Sequence, residues 1–200
     1  MKQLENLKQK LRPGKVYRRS DLANWSNAID RHLQLLLDEG ALIKLAQGLY
    51  YVPRKSAFGL TPPDDNSVIK AFLKTDDFVL VSPNMYNALN VGTTQLYNQK
   101  VVYNKKRQGN FDLGGRNINF RKKDNFPKKV TKEFLLTDLL QNIDKLAEEQ
   151  EVVYKKVASE IRKTDKSKLL RTSGRYGSAS VNRKIERIIQ NNEDVVPSPK

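Results

Sequence analysis

Ile29, Leu33, Leu36 and Leu37 stand at offsets 0, 4, 7 and 8. That spacing puts four large apolar side chains on one face of a helix. Gly40 follows as a helix stop, and then comes "LIKLAQGLYYVPR", residues 42–54. Its two short apolar runs are split by Ala46-Gln47-Gly48, where glycine can take the positive φ that a tight hairpin turn needs. An apolar helical face needs something to pack against, and the hairpin directly after it is the nearest partner. A helix closed by a two-stranded hairpin is therefore the first expectation.

The residues before this helix extend the pattern. Leu4, Leu7 and Leu11 recur at helical spacing, and "RPG" at 12–14 ends that first helix. "KVY" reads as a brief extended piece. Ser20 is placed to cap a short helix over "SDLAN", with Asp21 at its positive end. Ser26 is placed to cap the third helix, which runs to about Glu39. Helix, extended piece, short helix, turn, helix and hairpin is the order of a winged helix-turn-helix.

The charge makes nucleic acid the natural partner for such a module. Thirty-seven Lys and Arg oppose 22 Asp and Glu, a balance of +15, which favours a polyanion. Each of 1–63, 64–127 and 128–200 carries a surplus of bases, so no single tail explains it. On the third helix Asn27, Arg31, Gln34 and Asp38 face away from the apolar stripe. A helix fits the major groove, where Arg, Asn and Gln reach base edges. Arg18 and Arg19, ahead of the second helix with Ser20, are placed to hold phosphate. Lys44 and Gln47 lie on the hairpin, and Arg54 and Lys55 follow it as further contacts to the DNA backbone. The DNA-contacting set is then Arg18, Arg19, Ser20, Ser26, Asn27, Arg31, Gln34, Lys44, Gln47, Arg54 and Lys55. Asp38 works against it by repelling phosphate, and His32, off the stripe, reads as a surface or packing residue.

Beyond the hairpin, "PRKSAFGLTPPDD" at 53–65 reads as a linker. "NSVIKAFLK" reads as a helix, "FVLVSP" as a buried strand, and Pro83 as the start of another helix. "KVVYN", "NFDLGG" and "RNINFRKK" read as strands, the last two joined at Gly114-Gly115. From 130 the pattern is helical. Thr131 caps a helix through Leu136, Leu139, Leu140, Ile143, Leu146 and Ala147; three more follow, with "SGRYGS" at 173–178 as a loop. The expected fold is α+β. A winged helix-turn-helix over 1–60 is followed by a mixed α/β domain with C-terminal helices over 61–192 and a disordered tail over 193–200.

Several chemistries find no support in the residues. No cysteine is present and His32 is the one histidine, so disulfides and zinc-cysteine sites are excluded. The carboxylates show no grouped spacing for a metal, and Asp112 stands alone. The glycines match neither phosphate-binding motif. No catalytic residue, metal or cofactor is expected. No apolar run approaches the ~20 residues of a membrane span, and "MKQLENLKQKL" has no signal-peptide core, so a cytoplasmic protein is expected.

"PGKVYRRSDLANWSNAIDRHLQLLLDEGALIKLAQGLYYVPRKSAFG" at 13–59 resembles the AbiEi-type antitoxins and related bacterial winged-helix regulators, most specifically in the hairpin ending "GLYYVP". "VSPNMYNALNVGTTQ" at 81–95, "LGGRNINFRKK" at 113–123, "LLTDLLQNIDKL" and "GRYGSASVNRKIERII" are similar to later parts of that family. The resemblance implies an antitoxin of a type IV, abortive-infection pair. Its winged helix would bind operator DNA, possibly at inverted repeats, and repress its own operon. Its C-terminal domain would counter a nucleotidyltransferase-like toxin without needing to touch it. The other readings of the residues are an RNA-binding module and a protein-interaction module without operator specificity.

Overall fold

The computed structural model describes residues 2–91, 93 and 96–191; the expected tail at 193–200 lies outside them. The fold is α+β. The chain divides into two compact units, one comprising residues up to Asp76 together with Asn110–Ile118, the other Asp77–Gly109 with the chain from Asn119 onward.

In the first unit α1 (Lys2–Lys10), β1 (Val16–Arg18), α2 (Arg19–Ala23) and α3 (Ile29–Asp38) lead into β2 (Ile43–Ala46) and β3 (Leu49–Tyr51). The three strands form an antiparallel sheet in the order β1-β3-β2, with Tyr17 opposite Tyr50 and Ile43 opposite Tyr51. The expected apolar stripe closes the core: Ile29, Leu33 and Leu36 pack with Leu7, Leu22, Leu42, Tyr50 and Val52. Gly48 has φ +71°, as the turn requires. Its carbonyl accepts from Arg19 N at 2.9 Å, which ties the turn to the start of α2.

The expected caps differ. α2 begins at Arg19, so Ser20 lies inside the helix; Asp21 reaches back instead and accepts from Arg18 N at 3.3 Å. A carboxylate one turn in can meet the free amide that a serine inside the helix cannot. α3 begins at Ile29 after Ala28, so Ser26 precedes its cap. The Ser26 hydroxyl accepts from Ala28 N at 3.2 Å and lies 2.7 Å from His32 Nδ1.

The expected linker is also structured. Arg54–Ser56 (β4) and Gly59–Thr61 (β5) form a two-stranded hairpin. Ser56 Oγ accepts from Phe58 N and donates to Gly59 O, and Phe58 stands fully exposed at its tip. Tyr51 OH donates to Thr61 O at 2.6 Å, fastening β5 to β3. The unit therefore runs past the expected boundary at 60. α4 (Asp65–Leu73), capped by Asp64, lies against β1. Arg116 donates to Asp65 and Pro63 O, and Gly114 lies against Leu45.

The other strands are β6 (Phe78–Val81), β7 (Lys100–Asn104), β8 (Gly109–Asp112) and β9 (Asn117–Lys122), in the order β6-β7-β9-β8. Pro83–Leu89 is a 3₁₀ helix capped by Ser82. α5 (Lys132–Asn142), capped by Thr131 as expected, is buried almost all round, so it forms the centre of the second core. α6 (Gln150–Arg162), α7 (Lys166–Tyr176) and α8 (Ala179–Gln190) surround it. α5 stops earlier than the leucine spacing predicts, because Ile143–Lys145 tightens into a 3₁₀ turn. α7 in turn absorbs 173–176 of the expected loop, since Gly174 does not break it.

Candidate nucleic-acid interface

The outer face of α3 carries Arg31, Gln34 and Asp38, all exposed, with Asn27 exposed in the turn before it. Arg31 has no hydrogen bond or ion pair to any of the described residues. Gln34 is engaged, since its Nε2 donates to Asp38 at 2.8 Å. Lys44 lies on β2 opposite Tyr50, and Gln47 lies in the turn; both are exposed. The structure thus leaves Asn27, Arg31, Lys44 and Gln47 free of partners among the described residues.

Arg18 and Arg19 are not free cations. Arg18 donates to both oxygens of Asp21, at 3.0 and 2.7 Å. Arg19 donates to both oxygens of Asp30, at 2.7 and 2.5 Å. Two hydrogen bonds each hold these carboxyls below their ordinary range and raise the guanidinium groups. Both pairs are forked, the geometry a guanidinium also offers phosphate. The sequence shows the bases here but not the acids that fold onto them, because the Arg19–Asp30 pair joins two helices.

Arg54 and Lys55 lie apart from the hairpin turn. β3 carries the chain away from Gly48, and Arg54 lies over Gly14: a Cβ there would sit 3.6 Å from Arg54 Cδ. Ser20 and Ser26 serve local structure. Ser26 is buried, and although its hydroxyl meets His32 at a distance suited to a nucleophile and base, no carboxylate among the described residues orients the other ring nitrogen. No group of three His, Asp or Glu that could hold a metal occurs among the described residues. No helix among them is long and apolar enough to cross a membrane.

One cluster escapes the sequence reading. Lys10, Arg12, Lys15, Tyr17 and Trp25 line a groove of about 510 Å³. Lys10 Nζ lies 5.4 Å from the Trp25 ring centre, and Tyr17 meets Trp25 edge-on at 5.9 Å. Tyr17 OH accepts from Arg12 N at 3.2 Å, which bends the 12–15 turn toward the rings. "RPGK" in the sequence marks a helix stop, and only the fold brings Trp25 beside it.

No curated protein matches the chain in sequence. Residues 3–171 match a family model described as a family of unknown function, DUF6088, and the protein belongs to that family.

Proposed function

We propose that the first unit is a winged helix-turn-helix that binds double-stranded DNA, with α3 in the major groove and the Gln47-Gly48 turn as its wing. The observation that carries this reading is the exposed, unpartnered Arg31 on α3, whose apolar face clusters with Tyr50 of the β1-β3-β2 sheet, while the Gln47-Gly48 turn is tied to the start of α2. Arg31 reads a base edge, and Lys44 and Gln47 meet the phosphate track. The protein acts in the cytoplasm as a repressor of its own operon. On the resemblance to AbiEi-type proteins, it is the antitoxin of a nucleotidyltransferase-like toxin, opposed through the second unit. No catalytic step is part of this function.

The test is a titration against the DNA upstream of the gene and against scrambled DNA of equal length, at three salt concentrations. Preference for the upstream DNA supports a specific regulator. Equal, steeply salt-dependent binding to both contradicts it. The antitoxin half is tested by co-expression with the neighbouring gene: relief of growth arrest supports it, and persistent arrest counts against it.

The Lys10, Arg12, Lys15 and Trp25 groove favours a second reading, single-stranded RNA binding, since RNA recognition uses aromatic rings beside cations. Trp25 is the one tryptophan, so its fluorescence reports this groove alone. Quenching by RNA that duplex DNA does not reproduce would favour the second reading over the first.

A further inference from the structure

In the second unit a buried carboxylate organises a group of cations. Asp138 on α5 is 4% exposed and accepts from Tyr86 OH at 2.6 Å, Tyr103 OH at 2.5 Å and Asn142 Nδ2 at 3.3 Å. Burial, then the Asp138 charge, pushes both phenols up, so they remain donors. Asn142 turns its other atom outward. Its Oδ1 accepts from Arg121 Nη1 at 2.7 Å and from Lys145 Nζ at 3.1 Å.

Two cations therefore converge on one neutral oxygen. Arg121 uses Nε on Asn119 and Nη1 on Asn142 and Tyr103, leaving Nη2 without an acceptor among the described residues. Lys145 is exposed and forms no ion pair with them. Lys123 adds a third cation, 4.5 Å from the Tyr103 ring centre. Burial lowers its pKa most, and Arg121 and Lys145 lower it further. Arg121, Lys145 and Lys123 outnumber the two carboxylates here, the buried Asp138 and Glu148 beside Tyr97, by about one charge if all are ionised.

These groups border a small cleft lined by Tyr86, Tyr97, Gln99, Arg121, Asn142 and Lys145, among others. Tyr97 is fixed on that wall. Its backbone exchanges two hydrogen bonds with the Asn84 amide, and its hydroxyl donates to Glu148 and accepts from Ala147 N. Glu148 is thus the carboxylate at the rim, already engaged by Tyr97.

We propose that the mouth of this cleft, whose interior of about 30 Å³ is too small for the group itself, binds a phosphoryl group, either free phosphate or the phosphate of a mononucleotide, between Arg121 Nη2 and Lys145 Nζ. The open guanidinium Nη2 and an ammonium are both charge-assisted donors to such an oxyanion. Asp138 and Asn142 position Arg121 and do not touch the ligand. The site is independent of DNA binding by the first unit.

The test is calorimetric titration of the whole protein with inorganic phosphate and, separately, with AMP, at matched ionic strength, alongside Lys145→Gln. Lys145 is exposed, so the variant keeps its fold, checked by circular dichroism. Saturable binding of phosphate or AMP, weakened about tenfold or more in Lys145→Gln, supports the site. Tighter AMP assigns the nucleotide as source, and equal affinity assigns free phosphate. Binding no stronger than that of chloride, or unchanged in Lys145→Gln, overturns it.

Discussion

The Arg19 guanidinium closes on the Asp30 carboxylate through two hydrogen bonds, Nε to Oδ1 at 2.7 Å and Nη2 to Oδ2 at 2.5 Å. The pair joins the start of α2 to the first turn of α3. Both groups are largely exposed, so the bond adds little to stability. Its larger effect is to occupy a cation next to the proposed wing. Asp30→Asn removes one negative charge from the proposed DNA face and frees Arg19 for phosphate. Affinity rises for all sequences alike, and the slope of log K against log salt steepens by about 0.9, the value of one phosphate contact. A salt series on both proteins measures this, and an unchanged slope would remove Arg19 from the interface.

Asp21 gives a pH dependence with a defined sign. The Arg18 guanidinium, through its hydrogen bonds, is the largest cause that lowers the Asp21 pKa from 3.8. A carboxyl with a lowered folded value contributes stability that is full above its unfolded value and lost as pH falls through the lowered one. Because the pair is part-exposed, the contribution is about 1 kcal/mol or less. In melting curves from pH 6 to 2, wild type exceeds Asp21→Asn at the upper end and converges with it at the acid end. A gap that widens on acidification would contradict the pairing.

Gly114 and Gly115 separate backbone strain from steric overlap. Their φ values are +69° and +78°, so alanine costs about 1 kcal/mol or more at either. A Cβ at Gly114 would also lie 2.6 Å from Leu45 Cδ2, whereas at Gly115 nothing lies within 4 Å. Leu45 is buried, so it has little room to yield. Gly114→Ala is expected to destabilise by at least about 1 kcal/mol more than Gly115→Ala, as read by urea unfolding. Equal losses would place the Gly114 turn away from β2.

Local patterns were the legible part of this fold. The leucine period located the core of α3, Gly48 and Gly114-Gly115 marked real turns, and Thr131 capped α5. What failed depended on competition or distance. Asp21 displaced Ser20 as the capping group because a carboxylate one turn in reaches the free amide. The β4–β5 hairpin hid behind prolines, its strands only three residues long and exposed. Of the proposed interface, Arg31, Lys44, Asn27 and Gln47 were legible as exposed polar residues. The engagement of Arg19 by Asp30 was not, because it depends on how two helices meet. "LLTDLLQ" reads as a leucine helix with one polar interruption, and nothing local reveals that Tyr86 and Tyr103 converge on that Asp138.

Asp138 therefore carries a structural prediction of its own. Asp138→Ala leaves two buried phenols without their acceptor and Arg121 without its nearby countercharge, while Asn142 keeps its 2.8 Å bond to the backbone carbonyl of residue 138. Loss of one partner in such a network costs about 3 kcal/mol or more. Asp138→Asn keeps one acceptor oxygen and costs less. Equilibrium unfolding of the two variants checks the order, and near-wild-type stability of Asp138→Ala would contradict the network.

The proposed reading of DNA by α3 rests most directly on Arg31. The decisive measurement is the ratio of affinities for upstream and scrambled DNA in wild type, Arg31→Ala and Lys44→Ala. A base contact through Arg31 predicts that Arg31→Ala loses about 1–3 kcal/mol on the upstream DNA and that the ratio collapses. Lys44→Ala should weaken both DNAs alike and preserve the ratio. A ratio that survives Arg31→Ala unchanged would contradict recognition through α3.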